Sequence, residues 1–193
     1  MKLVILGRDG ILNEYRDDHV KSPEEWIPIR GSLDAVARLN QAGWHAVVAT
    51  NQSGIGRGMI DMASVNAVHA HMIKLAQRAG GRIDAVFFCP HTPEEGCECR
   101  KPRPGMLRDI AGRYGIGLAE VPMVSDSLRD MLAACEAGCE PHLVLSGRAA
   151  NLDELQLQAI LRQAPGTRVH RDLGALAEYL LRGEPAPAVA APA

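Results

Sequence analysis

Four groups of polar residues follow apolar runs of the sequence that have the length of buried strands. They are Asp9, Thr50 with Asn51, Lys101, and Asp126 with Asp130. In a parallel sheet the carboxyl ends of the strands lie at one edge, which is where open α/β folds bind ligands. We therefore expect these side chains to lie close together, although they are far apart in the sequence.

The residue types in this set fit phosphoryl transfer. That reaction needs donors and positive charge around the phosphate oxygens, a cation, and an in-line nucleophile. Thr50 and the backbone amides after it can hold phosphate oxygens, and Lys101 supplies a positive charge. Asp126 can hold Mg²⁺, which prefers one or two carboxylates with waters and phosphate. Each residue alone also has an ordinary interpretation, such as a turn cap for Asp9 or a solvated charge for Lys101.

A second group combines thiols with an imidazole at the spacing C-x-H-x₅-C-x-C, formed by Cys89, His91, Cys97 and Cys99. Three thiolates and one imidazole in so short a segment fit a closed tetrahedral zinc site. Because four protein ligands leave no open position, we expect a structural Zn²⁺ that holds the following Arg-Lys pair over the phosphate site. The alternative is a set of unlinked free thiols.

Strand-length apolar runs alternate with segments of helical periodicity along the chain. The predicted strands cover 3–6, 44–49, 83–88, 121–124, 142–145 and 167–170. Helices are predicted from Ser32 as a cap, after the cap Asp61, from Pro104 and from Leu128, and over 151–163 and 172–182. This alternation predicts an α/β fold with a parallel sheet between helix layers. We also expect Trp26 to anchor the loop over 14–30, and Met62 and Met72 to lie in the core.

Composition and charge exclude several functional classes. The 193 residues carry a formal net charge of −2 and are 47% hydrophobic, so nothing suggests a nucleic-acid or membrane surface. No apolar run has the length of a membrane span, and the first residues do not resemble a signal peptide. We expect a cytoplasmic monomer with one domain over residues 1–182 and a disordered Ala/Pro tail over 183–193.

The sequence GRDGILN at residues 7–13 resembles the first motif of the HAD superfamily of phosphohydrolases. Its form is similar to that of heptose bisphosphate phosphatases and the related histidinol-phosphate phosphatases. The later motifs match in order, at Thr50 for the second, Lys101 for the third, and Asp126 with Asp130 for the fourth. The resemblance implies a Rossmann-like HAD fold with a zinc-stapled loop and no large cap domain.

The resemblance also implies a role for each residue. Asp9 would be the general acid/base, Thr50 and Lys101 would hold the transferring phosphate, and Mg²⁺ would bind Asp126 and the backbone carbonyl of Asp9. The implied substrate-binding residues are Asn51, Gln52, Ser53, Arg100 and Lys101. The implied substrate is a phosphorylated sugar, most like the 7-phosphate of a heptose 1,7-bisphosphate in lipopolysaccharide precursor synthesis.

Two positions depart from the family pattern. Gly7 stands where the family carries its nucleophilic aspartate, which is also a Mg²⁺ ligand, and Ser125 stands in place of a glycine before Asp126. Three hypotheses follow: an impaired phosphatase, in which Asp9 activates water directly; a pseudophosphatase that binds a sugar phosphate or a protein; and an active enzyme altered at position 7. A histidinol-phosphate phosphatase is a further alternative.

Overall fold

Six parallel strands form one sheet in this computed structural model, which describes residues 1–182. The strands are Lys2–Leu6 (β1), Trp44–Asn51 (β2), Ala85–Cys89 (β3), Pro122–Ser125 (β4), Glu140–Val144 (β5) and Arg168–His170 (β6). Their order in the sheet is β3-β2-β1-β4-β5-β6. After β1 the chain places β2 and β3 on one side of it, and then crosses over to place β4, β5 and β6 on the other side. A ligand crevice is expected at the carboxyl ends beside such a switch point.

Six helices cover the two faces of the sheet. They are Ser32–Gln41 (α1), Met62–Arg78 (α2), Gly105–Tyr114 (α3), Leu128–Ala137 (α4), Glu154–Gln163 (α5) and Leu173–Arg182 (α6). Buried residues of α1, α2 and α6 pack on one face, and those of α3, α4 and α5 pack on the other. The predicted α/β fold with a parallel sheet between helix layers is therefore confirmed.

The central strand β1 shows why the sheet needs both layers. Val4 and Leu6 belong to the cluster beneath α1, α2 and α6, whereas Leu3 and Ile5 belong to the cluster beneath α3 and α4. Side chains alternate between the faces of a strand, so a strand covered on both sides is a continuous apolar run. Burial of these four side chains fixes the position of β1 along the sheet, and thereby places residues 7–9 at the sheet edge.

Local sequence signals gave some element ends correctly and others wrongly. The Asp61 side chain caps α2 by accepting from the Ser64 amide at 2.7 Å, as predicted. The predicted Ser32 cap is wrong, because Gly31 caps α1 and the Ser32 hydroxyl donates instead to the Leu12 carbonyl. A contact with a distant part of the chain therefore takes the hydroxyl that the local pattern assigned to the helix end.

Other predicted bounds also need correction: the helix predicted over 151–163 begins at Glu154, after the cap Asp153, and the strand predicted over 142–145 begins at Glu140. The third strand begins at Ala85 rather than at residue 83, because the Asp84 carboxylate accepts the Ala46 amide that would extend the ladder. Met62 is 43% exposed at the start of α2, whereas Met72 and Trp26 are buried as expected. Within residues 1–182, no helix is both long enough and apolar enough to cross a membrane. The predicted tail over 183–193 lies outside the described residues.

Candidate active site

A cleft at the carboxyl ends of β1, β2 and β4 has two adjoining parts. The inner part has a volume of about 30 Å³ and is lined by Gly7, Asp9, Thr50, Lys101 and Asp126, among others. The outer part, of about 70 Å³, is lined by residues that include Tyr15, Ser53 and Arg100. A larger surface cavity of about 260 Å³ between the starts of α1 and α6 contains none of these side chains. The polar groups singled out in the sequence therefore converge on the smaller cleft.

Asp9 is held by three neighbouring side chains. Its Oδ1 accepts from Arg8 at 2.9 Å and from Asn13 at 3.0 Å, and its Oδ2 accepts from Gln52 at 3.1 Å. Burial by itself raises the pKa of Asp9, but the Arg8 charge and the three hydrogen bonds outweigh it, and the pKa lies below its usual value. Asp9 is therefore a fixed carboxylate in the free protein, able to accept a proton at the cleft.

Lys101 is a buried cation, not the solvated charge of the ordinary interpretation. Only 2% of the residue is exposed, and its Nζ donates to the Ala49 carbonyl at 2.6 Å and to Asp130 at 2.7 Å. Burial raises the pKa of Asp130, but the charges of Lys101 and Arg129 lower it by a larger amount. The pKa is therefore below its usual value and Asp130 is ionised. Substitution of either Lys101 or Asp130 by a neutral residue would leave the other charge buried and unpaired, which is strongly destabilising. The pair thus fixes positive charge at the inner cleft.

The end of β2 positions Lys101 and Asp9 through two amide side chains. Asn51 and Lys101 make reciprocal bonds, since the Asn51 amide donates to the Lys101 carbonyl at 2.9 Å and accepts the Lys101 N–H at 3.2 Å. Gln52 is buried and donates both to Asp9 and to the Thr50 hydroxyl. Gln52, predicted to contact substrate, bonds two cleft residues in this structure, and Ser53 and Arg100, which carry the same prediction, line the outer part.

Two oxygen atoms at the cleft are free to hold a divalent cation. The Asp126 Oδ2 accepts the Arg148 N–H at 2.7 Å, while neither Asp126 Oδ1 nor the Asp9 carbonyl accepts a hydrogen bond within the described residues. Burial raises the pKa of Asp126. A cation would reverse that effect, because an opposite charge favours the carboxylate. The structure thus offers the oxygen donors that suit Mg²⁺.

The predicted cysteine and histidine group is assembled by the end of β3 and the loop that follows it. The ligand atoms of Cys89, His91, Cys97 and Cys99 all lie within 4.8 Å of one another. Neighbouring pairs are 3.3–3.6 Å apart, close to the roughly 3.7 Å edge of a tetrahedron of zinc–sulfur bonds. Burial and the neighbouring thiols raise the pKa of Cys99 to about 12. A bound cation would remove that penalty, so the four residues could hold a metal ion.

The chain is highly similar to heptose bisphosphate phosphatases over almost its entire length. It is 54% identical over 182 residues to the D-glycero-β-D-manno-heptose-1,7-bisphosphate 7-phosphatase of Bordetella bronchiseptica, covering 94% of this chain and 99% of that protein. The chain belongs to this family of HAD phosphatases. The enzyme of the same name from Pseudomonas aeruginosa is 45% identical over 93% of this chain and 98% of its own length. A HAD-hydrolase-like family model matches residues 98–176.

Solved structures of heptose bisphosphate phosphatases share the fold. The B. bronchiseptica protein, crystallised with magnesium and phosphate, superposes with a TM-score of 0.87 at 52% identity, covering 95% of this chain and 100% of that chain. The protein from Burkholderia thailandensis gives a TM-score of 0.72 at 45% identity, covering 94% and 99% of the two chains. The family resemblance expected from the motifs is therefore confirmed.

The residue at position 7 differs from the one in the first motif of the family. Gly7 directly follows β1, and its N–H donates to the Val124 carbonyl at 2.8 Å. A Cβ atom placed on Gly7 would lie 3.1 Å from the Ile11 Cγ1 and 3.2 Å from the Ser125 Oγ. The Ser125 hydroxyl donates to Asp130 at 2.7 Å. The two departures from the family pattern therefore touch each other, and Ser125 limits the space beside Gly7.

Several cleft residues of this family member were not predicted from the sequence. Arg8 is buried and donates to Asp9, to Gln52 and to the ring of His69. Burial and the Arg8 charge lower the pKa of His69 to about 4. Arg148 enters the cleft from the turn after β5 and stacks on Tyr15. The Arg of the first motif could have been noticed from its place between Gly7 and Asp9, but no local pattern marks Arg148.

Proposed function

We propose that this protein binds D-glycero-β-D-manno-heptose 1,7-bisphosphate and hydrolyses its 7-phosphate, at a rate strongly limited by Gly7. The observation that carries the substrate assignment is the pair of adjoining cleft parts, one around Thr50 and Lys101 and one around Ser53 and Arg100. Two phosphate groups joined by one sugar need two such positions. Relatives that are 45–54% identical bear the name of this phosphatase.

We assign Mg²⁺ to the free oxygen of Asp126 and the carbonyl oxygen of Asp9. This assignment is supported by the unpaired state of both atoms and by the magnesium with which the B. bronchiseptica protein was crystallised. When bound, the ion neutralises charge on the phosphate and orients it. In the family the carboxylate at position 7 would be a further ligand, so Gly7 weakens this site as well as removing the nucleophile.

The chain's own residues account for binding and for a slow reaction. Thr50 and Lys101 donate to the oxygens of the 7-phosphate, where negative charge is concentrated in the transition state. With no carboxylate at position 7, water forms the new bond to phosphorus and the bond from phosphorus to the sugar oxygen breaks. Asp9 accepts the proton of the attacking water and later releases it to solvent, while the sugar oxygen, which leaves on the opposite side of phosphorus, takes its proton from solvent. This path lacks the covalent intermediate that divides the family's reaction into two easier steps.

We assign Zn²⁺ to the group of Cys89, His91, Cys97 and Cys99, with a structural role. Thiolate and imidazole donors select zinc over magnesium, and a four-ligand shell leaves no position for substrate. The guanidinium of Arg100 donates to the His91 carbonyl at 3.1 Å, so the metal loop also places Arg100 at the outer cleft. The zinc would therefore support substrate binding indirectly.

Turnover of three phosphate esters tests the proposed activity. Phosphate release with Mg²⁺ should be slow but measurable with heptose 1,7-bisphosphate, slower with heptose 7-phosphate, and lowest with histidinol phosphate. Omission of Mg²⁺ should abolish release from the bisphosphate. Equal or faster hydrolysis of histidinol phosphate would contradict the substrate assignment and support the related histidinol-phosphate phosphatases instead.

Gly7 also favours a second candidate function, that of a pseudophosphatase that binds a sugar phosphate or a protein partner without turnover. None of the residues proposed to hold phosphate depends on a side chain at position 7. Calorimetry should separate the two functions, because a pseudophosphatase binds heptose 1,7-bisphosphate but releases no phosphate above the rate in buffer. Release that requires both protein and Mg²⁺ would exclude it.

We further propose that residues 1–182 form one phosphatase domain acting as a cytoplasmic monomer. A single sheet with one helix layer on each face supports the one-domain assignment. The proposed substrate, a sugar phosphate used in the synthesis of lipopolysaccharide precursors, supports the cytoplasmic location. Sedimentation of the purified chain would test the monomer.

A further inference from the structure

The turn after β5 packs directly against the proposed magnesium site. Gly147 has a φ of +51°, and a Cβ atom there would lie 2.3 Å from the Asp126 Oδ2 and 2.5 Å from the Gly10 Cα. The Arg148 N–H donates to the same Asp126 oxygen at 2.7 Å, and the Ser146 hydroxyl donates to the Gly10 carbonyl. The backbone of Arg148 is therefore fixed relative to both the first-motif loop and the fourth-motif loop.

The Arg148 side chain extends from this turn across the face of Tyr15. Its guanidinium carbon lies 4.0 Å from the centroid of the Tyr15 ring, and its side chain is 38% exposed. Stacking on an aromatic face holds a guanidinium in place and leaves the N–H groups at its edge free to donate. The nearest carboxylate oxygen, Asp126 Oδ1, is 3.8 Å from the Arg148 Nη1, which is too far for a hydrogen bond.

Arg148 differs in this respect from the other cations of the cleft. Each of the other five donates from its side chain to a protein acceptor: Arg8 to Asp9, Arg16 to Asp18, Arg100 to the His91 carbonyl, Lys101 to Asp130 and Arg129 to Asp130. Among the described residues, the Arg148 guanidinium alone lines the cleft without such a bond. Its donors are available for a ligand.

We propose that Arg148, stacked on Tyr15, binds the phosphate that is not hydrolysed and thereby makes the protein prefer a sugar bisphosphate to a monophosphate. This inference rests on the proposed function. Arg148 lines both cleft parts and so lies between the two phosphate positions. A planar guanidinium matches two oxygens of a phosphate at once, which a neutral or point-charge side chain does not.

The test compares two ligands with one variant. Affinities for heptose 1,7-bisphosphate and heptose 7-phosphate are measured by calorimetry with Mg²⁺ in excess, for the native chain and for Arg148→Gln. We expect Arg148→Gln to weaken bisphosphate binding by about 10- to 100-fold, and to leave 7-phosphate binding within about threefold of native. The retained 7-phosphate affinity shows at the same time that the variant is folded. Arg113→Gln, an exposed arginine of α3, is the matched control and should change neither affinity.

Three further variants distinguish binding through the guanidinium from a structural effect. Arg148→Lys should recover only part of the lost affinity, because an ammonium cannot bond bidentately. Tyr15→Phe, which keeps the ring, should behave like the native chain, whereas Tyr15→Leu should weaken bisphosphate binding alone. Equal weakening of both ligands in Arg148→Gln, or no weakening of either, would overturn the inference while leaving the proposed function standing. Failure of the native chain to bind either sugar phosphate would overturn both.

Discussion

Restoring a carboxylate at position 7 is the most informative change that the structure suggests. The backbone of Gly7 lies outside the left-handed region, so a side chain is conformationally allowed. The added Cβ would need Ile11 and Ser125 to move by a few tenths of an ångström. The Ile11 Cγ1 is bonded directly to Cβ in a buried side chain, and the Ser125 hydroxyl is held by Asp130. We therefore pair Gly7→Asp with the double variant Gly7→Asp/Ser125→Gly, which removes that contact.

The expected gain in rate follows from the missing covalent step. Loss of a nucleophile costs hydrolases up to about 10⁶-fold in kcat, so its return should raise kcat by about 10³-fold or more. The double variant should gain at least as much as Gly7→Asp, because the new carboxylate can then take its position without displacing Ser125. Adding Asp9→Asn should remove most of the gain, because Asp9 is the proposed acid/base.

The same carboxylate should make folding more dependent on magnesium. It adds a further negative charge to a cleft that already contains Asp9, Asp126 and Asp130. Without metal we expect Gly7→Asp to lose about 1–3 kcal/mol of stability, or about 2–4 °C in Tm for each kcal/mol. Mg²⁺ at 100 times its Kd would return about 2.7 kcal/mol, raising the Tm by about 5–10 °C. The native chain, with one ligand fewer, should show a smaller rise.

The decisive assay measures phosphate release from heptose 1,7-bisphosphate by the four chains side by side, with thermal melts with and without Mg²⁺. A native rate equal to that of Gly7→Asp would show that position 7 is not the nucleophile site. A larger magnesium-dependent rise in Tm without any gain in rate would instead show that the metal site was rebuilt but that other loops prevent turnover. That result would favour the pseudophosphatase.

Three other predictions test separate parts of the structure. Metal analysis should find about one zinc per chain, and Cys97→Ser should release it and speed proteolysis of the loop over 89–103, whereas a loop that stays protected would contradict the assignment. Lys101→Ala should weaken the binding of inorganic phosphate by about tenfold and lower the Tm, because Asp130 loses its buried partner; unchanged phosphate binding would show that Lys101 is misassigned. Burial lowers the pKa of His142 to about 3 and of His170 to about 4. Because both values lie below the unfolded value of 6.5, the contribution of these two histidines to stability is constant above pH 6.5 and falls between pH 6.5 and about 3; urea unfolding should show a fall that is smaller in His142→Gln.

The sequence predicted the convergence of the strand-end residues, because parallel strands share one edge, and it predicted the helix ends that depend on residues close together in the chain. Asp61 and the run from Leu128 to Ala137 carry their own start and stop signals, and the structure has those ends as predicted. The role of the Ser32 hydroxyl was wrong, since its partner Leu12 is 20 residues away. Tyr15 and Arg148 are still farther apart, and only the sheet order that places β5 near β1 brings them together. Pairings of this kind follow from the fold and leave no local pattern.

The reciprocal bonds between Asn51 and Lys101 have a consequence for conformational entropy. The loop over 89–103 is drawn together by the group of Cys89, His91, Cys97 and Cys99 and is bonded near its end to Asn51. Fixing a free backbone costs about 1–2 kcal/mol per residue, and a loop that became ordered only around its substrate would subtract that cost from the affinity. Here the bonds to Asn51 fix the end of the loop when the chain folds, and the proposed metal would fix the rest. A sugar phosphate therefore meets Arg100 and Lys101 already in place, and little of its binding energy is lost to ordering the protein.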